Sequence, residues 1–324
     1  MPKVVITGGA GFIGSNLAEA MVNSGWAVTA IDDLSFGSLN NLESIKKDSN
    51  FQFVKSDICQ SGALDDACKD TQCLVHLAAY KIPRYGGALK TLNINNDGTR
   101  AALECASKYG LKFILASTSD VYGKNANPPF KEGDNLVLGP PFIRRWAYAV
   151  SKAFDEQLAM AYYDERELPI VILRFFGSYG PHNHRTWWGG PQAVFIEQAL
   201  QNHSLSVHGD GRQTRSFCYV SDTVRGIKSA IETDRAIGEI INIGSINEIS
   251  IEELARKVIV LADSKSEIEF IAYEQFGGRY EDVRNRVPDL AKAKRLLRFE
   301  PKISLDQGLT RTIEWHKRFA RMSD

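Results

Sequence analysis

Tyr148 and Lys152 stand four residues apart in a strongly helical stretch of the sequence, 148–163. Residues at this spacing share one face of a helix, so the lysine ammonium would lie beside the tyrosine hydroxyl. A neighbouring positive charge favours the phenolate and would lower the pKa of Tyr148 from its ordinary value of about 10. The pair therefore predicts a tyrosine that acts as a base near neutral pH.

Hydroxyl groups and one carboxylate follow the apolar run 112–116. They belong to Ser117, Thr118, Ser119 and Asp120. Such a cluster could hold a polar substrate, although hydroxylated turns are also common at strand ends where nothing binds. The cluster is a candidate substrate site.

The first tight turn of the chain, residues 7–14 (TGGAGFIG), follows the apolar run 4–6 directly. Its glycines allow the backbone to turn sharply and to approach a pyrophosphate, and a helix that begins near Phe12 would point its free amide groups at the anion. Gly14 would let that helix pack closely against the sheet. The segment therefore predicts a dinucleotide phosphate loop.

Asp32 ends the second predicted strand, 27–31. A carboxylate in this place is expected to accept hydrogen bonds from the adenosine ribose. It would repel a 2′-phosphate, and no arginine stands beside it, so we expect NAD rather than NADP as the cofactor.

Short apolar runs alternate with helical stretches through the first half of the chain, which predicts an α/β fold with a doubly wound parallel sheet. Ligands of such sheets bind at the carboxyl ends of the strands. Asp57 and Ile58 follow one run and could meet the adenine, and Leu77, Ala78 and Ala79 end another and could lie under a dinucleotide.

The composition is that of an ordinary globular protein of one large or two modest domains, with 324 residues of which 44% are hydrophobic. Lys plus Arg equals Asp plus Glu at 39 each, so the overall charge attracts neither nucleic acid nor an anionic membrane. The five cysteines lack the CxxC pairing of a zinc site and are expected to be reduced. No metal site, signal peptide or membrane span is predicted, and we expect a cytoplasmic protein.

The glycine loop, the acid after the second strand, the hydroxyl cluster before VYG and the YAVSK segment resemble the extended short-chain dehydrogenase/reductase family, and within it the nucleotide-sugar epimerases, dehydratases and decarboxylases. The resemblance covers nearly the whole chain. Later segments that carry it are 174–176 (RFF), 179–181 (YGP), 213–217 (QTRSF) and 288–289 (PD).

The resemblance implies a Rossmann-type sheet with a smaller C-terminal α/β substrate domain. The NAD-binding domain would comprise residues 1–178 plus 217–245, and the nucleotide-sugar-binding domain residues 179–216 plus 246–324. It also implies a homodimer in which each subunit contributes two helices, the one after Asn95 and the one that carries Tyr148.

Thr118, Tyr148 and Lys152 form a catalytic triad if the resemblance holds. The phenolate would take the proton of a sugar hydroxyl that Thr118 orients while the sugar carbon gives a hydride to NAD, and Lys152 would also hold the nicotinamide ribose. The full set of implied cofactor contacts is Gly8, Gly11, Phe12, Ile13, Gly14, Asp32, Asp57, Ile58, Leu77, Ala78, Ala79, Asn95, Ser117, Tyr148 and Lys152. The candidate substrate contacts are Lys81, Arg84, Gly177, Arg215 and Arg279.

Oxidation of the sugar at C4 gives a 4-ketosugar, which can be epimerised, dehydrated at C5 and C6 or, if it is a glucuronate, decarboxylated. Asp120 is a fourth catalytic candidate, because dehydratases and decarboxylases resemble one another in having a glutamate there while simple epimerases usually have an uncharged residue. Segment 213–222 resembles the UDP-xylose-forming decarboxylases and favours a UDP-sugar, with Arg215 on the diphosphate. Residues 149–151 fit epimerases and dehydratases better. Gly177 replaces the asparagine usual in all three.

We therefore interpret the chain as an NAD-dependent epimerase of a UDP-sugar that acts through transient C4 oxidation. The alternatives are a 4,6-dehydratase type of enzyme and then a UDP-glucuronate decarboxylase. A non-catalytic, NAD-sensing protein on the same fold is the alternative from a different class.

Overall fold

A parallel sheet organises the computed structural model, which describes residues 1–60, 62–81, 87–276 and 281–321. Within these residues the sheet has seven strands, namely β1 (Lys3–Thr7), β2 (Ala27–Asp32), β3 (Phe51–Lys55), β4 (Cys73–His76), β5 (Lys112–Thr118), β6 (Ile170–Phe175) and β11 (Glu239–Ile243). Their order across the sheet is β11-β6-β5-β4-β1-β2-β3.

Strands β1 and β4 lie side by side in the sheet. From β1 the sheet continues through β2 and β3 toward one edge, and from β4 it continues through β5, β6 and β11 toward the other, so the order of the strands reverses between β1 and β4. The two loops that leave these strands part from each other and open a crevice at their carboxyl ends. Val4, Val5 and Ile6 of β1 are buried because both sheet faces are covered. The predicted doubly wound parallel sheet is confirmed.

Helices cover both faces of the sheet. The helices are α1 (Phe12–Val22), α2 (Asp65–Cys68), α3 (Ala88–Tyr109), α4 (Trp146–Arg166), α5 (Pro191–Leu200), α6 (Val220–Glu232), α7 (Ile251–Ala262), α8 (Ala291–Leu297) and α9 (Leu305–Arg321). Helices α3 and α4 pack together, as do α1 and α6. None of the helices in the described ranges is both long and apolar enough to cross a bilayer.

Three small two-stranded sheets accompany the central sheet within the described residues. They pair β7 (Ser178–Tyr179) with β10 (Cys218–Tyr219), β8 (Leu205–His208) with β13 (Ile268–Ile271), and β9 (Thr214–Ser216) with β12 (Glu248–Ser250). Two of them, β8 with β13 and β9 with β12, consist of segments that the sequence assigned to the substrate domain. Between these pairings the chain returns to the central sheet as β11, beside β6. The division into two domains stays a prediction.

Helix α8 begins at Ala291, after the turn that contains Pro288 and Asp289. Pro288 forms an isolated parallel bridge with Phe130. The Asp289 carboxylate accepts the backbone N–H of Ala291, so the helix starts only after this turn.

Candidate active site

A cleft of about 510 Å³ opens where the carboxyl ends of β1, β2, β4 and β5 meet. Residues that follow these strands line one side of it, and α4 contributes Tyr148 and Lys152. The segment that leads into α5 and the one that contains β9 line the other side. The cleft therefore combines the candidate cofactor residues with the candidate catalytic residues.

The glycine loop leaves no room for side chains where it turns beside the cleft. Gly8 has a φ of +67°, and a Cβ there would lie 2.8 Å from the backbone nitrogen of Ala78. A Cβ on Gly14 would collide with the carbonyl oxygen of Gly8. The bare backbone and the N-terminus of α1 thus form a cradle that suits a pyrophosphate.

Asp32 is held rigidly at the end of β2. Its Oδ2 accepts the backbone N–H of Ala10 at 3.0 Å, and its Oδ1 accepts that of Leu34 at 2.8 Å. Burial raises the pKa of the Asp32 carboxyl, and these backbone hydrogen bonds oppose the rise. The carboxylate still has free lone pairs toward the cleft, so it can accept hydrogen bonds from ribose hydroxyls.

The structure brings almost all predicted cofactor residues to one surface. Those that line the cleft are Gly8, Gly11, Phe12, Ile13, Gly14, Asp32, Asp57, Ile58, Leu77, Ala78, Ala79, Ser117, Tyr148 and Lys152. Asn95 differs because it does not line the cleft: its side chain bonds the backbone of Tyr80 and the hydroxyl of Ser151. It ties α3 to α4 behind the site.

Thr118 and Tyr148 both line the cleft, and the Thr118 side chain works against the rise in the pKa of Tyr148. The Thr118 hydroxyl itself donates to Asp120 Oδ2 at 3.4 Å. Lys152 has a carboxylate partner on its own helix. Its ammonium lies 3.2 Å from Asp155 Oδ2, and this carboxylate offsets its charge. Desolvation, Asp120 and Asp155 raise the pKa of Tyr148, so the predicted lowering is wrong for the protein alone.

Asp120 belongs to a chain of alternating charges at the cleft wall. Its Oδ1 lies 2.7 Å from Arg286 Nη2 and 3.4 Å from Arg145 Nη2. Asp282 Oδ1 in turn lies 2.9 Å from Arg145 Nη1 and 2.8 Å from Arg215 Nη2. Desolvation and the nearby Arg215 and Arg145 lower the pKa of Arg286 to about 10, although Asp120 opposes this. The cluster presents three guanidinium groups beside the hydroxyl site.

Sequence reasoning missed Arg145, Asp282 and Arg286, all of which line the cleft. Arg286 precedes Pro288 by two residues, and Arg145 stands directly before α4. This closeness in sequence to Pro288 and to the start of α4 was the only feature that could have indicated the two arginines as site residues. The contacts themselves join distant parts of the chain.

Three of the five predicted substrate contacts lie in the cleft. Lys81, Gly177 and Arg215 line the cleft, and Lys81 Nζ donates to the carbonyl of Trp188 at 3.4 Å. Arg215 is already engaged by Asp282, so a diphosphate would have to share it. Arg84 and Arg279 lie outside the described residues.

Gly177 has a physical reason to lack a side chain. Its φ is +51°, and a Cβ would collide with the carbonyl oxygen of Ser216. An asparagine at this position would therefore strain the backbone and displace the strand β9. The backbone of this chain therefore leaves no space for the asparagine that the family resemblance implies at this position.

Comparison with known proteins agrees with this geometry. The family model described as GDP-mannose 4,6 dehydratase matches residues 5–312. The chain is 38% identical to a UDP-N-acetyl-alpha-D-glucosaminuronate decarboxylase of Bacillus cytotoxicus, over 97% of this chain and 98% of that protein. It is 34% identical to UDP-glucuronic acid decarboxylase 1 of Xenopus tropicalis, over 98% of this chain and 72% of that protein.

Two solved structures are similar over almost their whole length. The first is UDP-glucuronic acid 4-epimerase from Bacillus cereus in complex with UDP-glucuronic acid and NAD, with a TM-score of 0.88, 31% identity, and coverage of 98% of this chain and 99% of that one. The second is dTDP-glucose 4,6-dehydratase from Bacillus anthracis in complex with NAD, with a TM-score of 0.87, 29% identity, and coverage of 99% and 98%. The chain therefore belongs to the GDP-mannose 4,6 dehydratase family, among the nucleotide-sugar epimerases, dehydratases and decarboxylases of the extended short-chain dehydrogenase/reductases.

Proposed function

We propose that this protein is an NAD-dependent decarboxylase of a UDP-linked uronic acid. The contact between Asp120 and Arg286, beside Thr118 and Tyr148, carries the proposal. Epimerisation at C4 needs only a hydride acceptor and room for the ketosugar to turn. Decarboxylation also needs a cation beside the sugar carboxylate and a group that donates a proton to C5. The charge cluster around Asp120 and Arg286 offers groups for both.

The residues around the glycine loop fit NAD. Gly8, Gly11 and Gly14 would leave space for the pyrophosphate, Asp32 would hold the adenosine ribose and Lys152 the nicotinamide ribose. When bound, NAD supplies a hydride acceptor for the sugar C4. The Asp32 carboxylate disfavours a 2′-phosphate at the same place.

Tyr148 and Thr118 would hold the C4 hydroxyl, and the phenolate would take its proton. Once C4 is a ketone, a carboxylate on C5 is that of a β-keto acid. Its C5–C6 bond can break with release of carbon dioxide, and the electron pair forms an enolate that the Thr118 hydroxyl and protonated Tyr148 can stabilise. The enolate then takes a proton at C5, for which the Asp120–Arg286 pair is the candidate source.

The similar proteins support decarboxylation as the first hypothesis and epimerisation as the second. The uronate decarboxylase of Bacillus cytotoxicus matches at 38% identity, above the 31% of the UDP-glucuronic acid 4-epimerase of Bacillus cereus. Epimerisation of a UDP-sugar, the first choice from the sequence, is the second candidate, because Ala149, Val150 and Ser151 fit epimerases better than decarboxylases.

Product analysis tests the proposal directly. The purified full chain is incubated with NAD and, separately, UDP-glucuronate, UDP-N-acetylglucosaminuronate, UDP-glucose and UDP-N-acetylglucosamine, and product mass and anomeric proton signals are followed together. We expect loss of carbon dioxide from a uronate and no product from the Tyr148→Phe variant. An unchanged mass with new anomeric signals would favour the epimerase, and loss of water a dehydratase. No product from any sugar would contradict the whole assignment.

A further inference from the structure

Segment 183–190, which leads into α5 and which we call the strap, contains two adjacent tryptophans. Both of them, Trp187 and Trp188, line the cleft. The Trp188 ring packs against residues that follow β2 and β4, whereas the Trp187 ring packs against the last residue of β8. The strap therefore contacts the cofactor half of the cleft, around the glycine loop, and also the substrate half, around β8 and β9.

Three aromatic rings meet on the cofactor half. The ring centroids of Phe36 and Trp188 are 4.5 Å apart, and the ring planes are tilted by 34°. Tyr80 lies nearly perpendicular to both rings, with its centroid 5.2 Å from that of Trp188 and 5.3 Å from that of Phe36. Aromatic pairs attract one another at these separations. Lys81 adds a hydrogen bond from its Nζ to the Trp188 carbonyl at 3.4 Å, so the strap is held closed by side-chain contacts.

The two rings on which Trp188 rests belong to segments that surround the candidate cofactor residues. Phe36 lies in the loop after β2, and the backbone N–H of Ser38 in this loop donates to the carbonyl of Ala10 in the glycine loop at 3.0 Å. Tyr80 is fixed by Asn95 of α3, which accepts the Tyr80 N–H at 2.7 Å and donates to its carbonyl at 3.2 Å. Closure of the strap is therefore read by the same loops that would hold the cofactor.

A second pair of rings meets on the substrate half. The ring centroids of Trp187 and His208 lie 4.1 Å apart, with a tilt of 30° between the planes. The His208 carbonyl accepts the side-chain N–H of Gln213 at 2.8 Å, and Gln213 stands two residues before Arg215, a candidate substrate contact. His208 and Gln213 also line the cleft. The Trp187 ring therefore belongs to the part of the cleft where the nucleotide sugar is expected.

Hydrogen bonds at the tip of the strap join the two tryptophans into one unit. The Gly189 N–H donates to the Thr186 carbonyl at 2.8 Å, which closes a tight turn around both rings. The Gly189 carbonyl accepts the side-chain amides of Asn183 at 3.0 Å and Gln192 at 2.8 Å. A Cβ on Gly189 would collide with the carbonyl oxygen of His184, so the turn is compact. A displacement of one tryptophan is therefore expected to displace the other.

We propose that the strap couples the two ligands of the cleft: a nucleotide sugar that holds Trp187 in place keeps Trp188 closed on Phe36 and Tyr80, and the closed strap retains NAD. Coupling between two binding sites is reciprocal, so bound NAD strengthens binding of the nucleotide by the same factor. The inference rests on the proposed function for the identity of the UDP-linked ligand. It extends that function to the regulation of the site, because the cofactor is held most tightly while a sugar is present.

The rate of NAD dissociation tests the coupling without any turnover. The purified protein is loaded with radiolabelled NAD and chased with excess unlabelled NAD, with and without saturating UDP, which has no sugar to oxidise. We expect UDP to raise the affinity for NAD about tenfold, within the usual range of coupling between two sites, and to do so mainly by slowing NAD dissociation. An NAD dissociation rate and affinity that bound UDP leaves unchanged would overturn the proposal.

Trp188→Leu and Phe36→Leu each remove one ring of the same contact and keep an apolar side chain. Each should abolish most of the slowing by UDP, so that NAD leaves about tenfold faster than from the wild type with UDP bound. The double variant should lose little more than either single one, because both substitutions remove the same contact. Phe142→Leu is the matched control, since Phe142 is 65% exposed and is not among the residues that line the cleft. A wild-type response to UDP in both ring variants would contradict the coupling.

Trp187→Leu tests the substrate half of the strap. Because the Trp187 ring packs on His208, this variant should reduce the effect of UDP on NAD dissociation more than it changes the rate without UDP. A full effect of UDP in this variant would count against the strap as the link.

The affinity for UDP, measured by calorimetry, keeps the inference separate from the proposed function. A protein that binds UDP and NAD without coupling contradicts the strap alone. Coupled binding without conversion of any uronate supports the strap while the proposed reaction fails. A protein that does not bind UDP contradicts both the UDP-sugar assignment and the strap.

Discussion

Arg286 Nη2 lies 2.7 Å from Asp120 Oδ1 in the wall of the cleft that also contains Thr118 and Tyr148. Asp120 comes from the turn after β5, where the sequence predicts a catalytic acid. Arg286 comes from the segment before α8, where the sequence predicts only a family motif. Their contact places a charged pair beside the hydroxyl site, and most of the proposed chemistry beyond C4 oxidation depends on it.

Asp120→Asn should slow formation of the decarboxylated, C5-protonated product by about 10²-fold or more, the usual contribution of an acid or base group. Oxidation at C4 should persist, because Thr118, Tyr148 and Lys152 are unchanged. The expected signs are reduced-cofactor absorbance and an accumulating 4-ketosugar, followed by optical spectroscopy and mass spectrometry. Product formation at the wild-type rate would show that Asp120 is not needed after oxidation. Asp164→Asn, at the exposed end of α4, is the control for the loss of a carboxylate outside the cleft.

The activity should rise with pH through an acid limb that belongs to Tyr148. Desolvation, Asp120 and Asp155 raise the pKa of Tyr148, and only the phenolate is an effective base, so the active fraction grows as the pH increases. Asp120→Asn removes one of the negative charges and should shift the limb of C4 oxidation to lower pH. Stopped-flow measurement of cofactor reduction across pH checks this. Tyr148→Phe should be inert at every pH, and a limb that Asp120→Asn does not move would contradict the assignment.

Gly177→Ala should destabilise the protein by about 1–3 kcal/mol, the range for a residue forced into a sparsely populated backbone conformation. The φ of +51° and the collision of a Cβ with the Ser216 carbonyl oxygen are the reasons. Urea denaturation measures the free energy of unfolding. Gly133→Ala is the matched control, because a Cβ there meets nothing within 4 Å. Equal stabilities of the two variants would mean that the backbone at 177 adapts freely.

The homodimer that the sequence predicts should depend on α4. Val150 and Phe154 on this helix are 44% and 42% exposed, and Leu89 on α3 is 72% exposed. Phe154→Glu would put a charge into that interface and should shift the mass measured by light scattering from dimer to monomer. Val260→Glu on α7, where the valine is 77% exposed, should leave the mass unchanged. A wild type that is monomeric at micromolar concentration would contradict the prediction.

Features that depend on local geometry could be predicted from the amino-acid sequence alone. The glycine loop at 7–14, the acid at the end of β2 and the alternating strand and helix pattern each need only a few neighbouring residues to be recognised. Tyr148 and Lys152 share a helix face because of their spacing, and the structure brings both to the cleft. Local backbone requirements depend on the types of consecutive residues, so they could be inferred without knowledge of the tertiary structure.

Which charged groups come into contact depends on how the helices and strands pack, and the sequence did not predict it. Lys152 faces Asp155 rather than simply lowering the pKa of Tyr148, and Asp120 meets Arg286 from the far end of the chain. The Gly177 backbone approaches Ser216, which explains a departure that sequence comparison could only note. Electrostatic and steric effects act through space over a few ångströms, and the sequence does not specify those distances until strands and helices have packed.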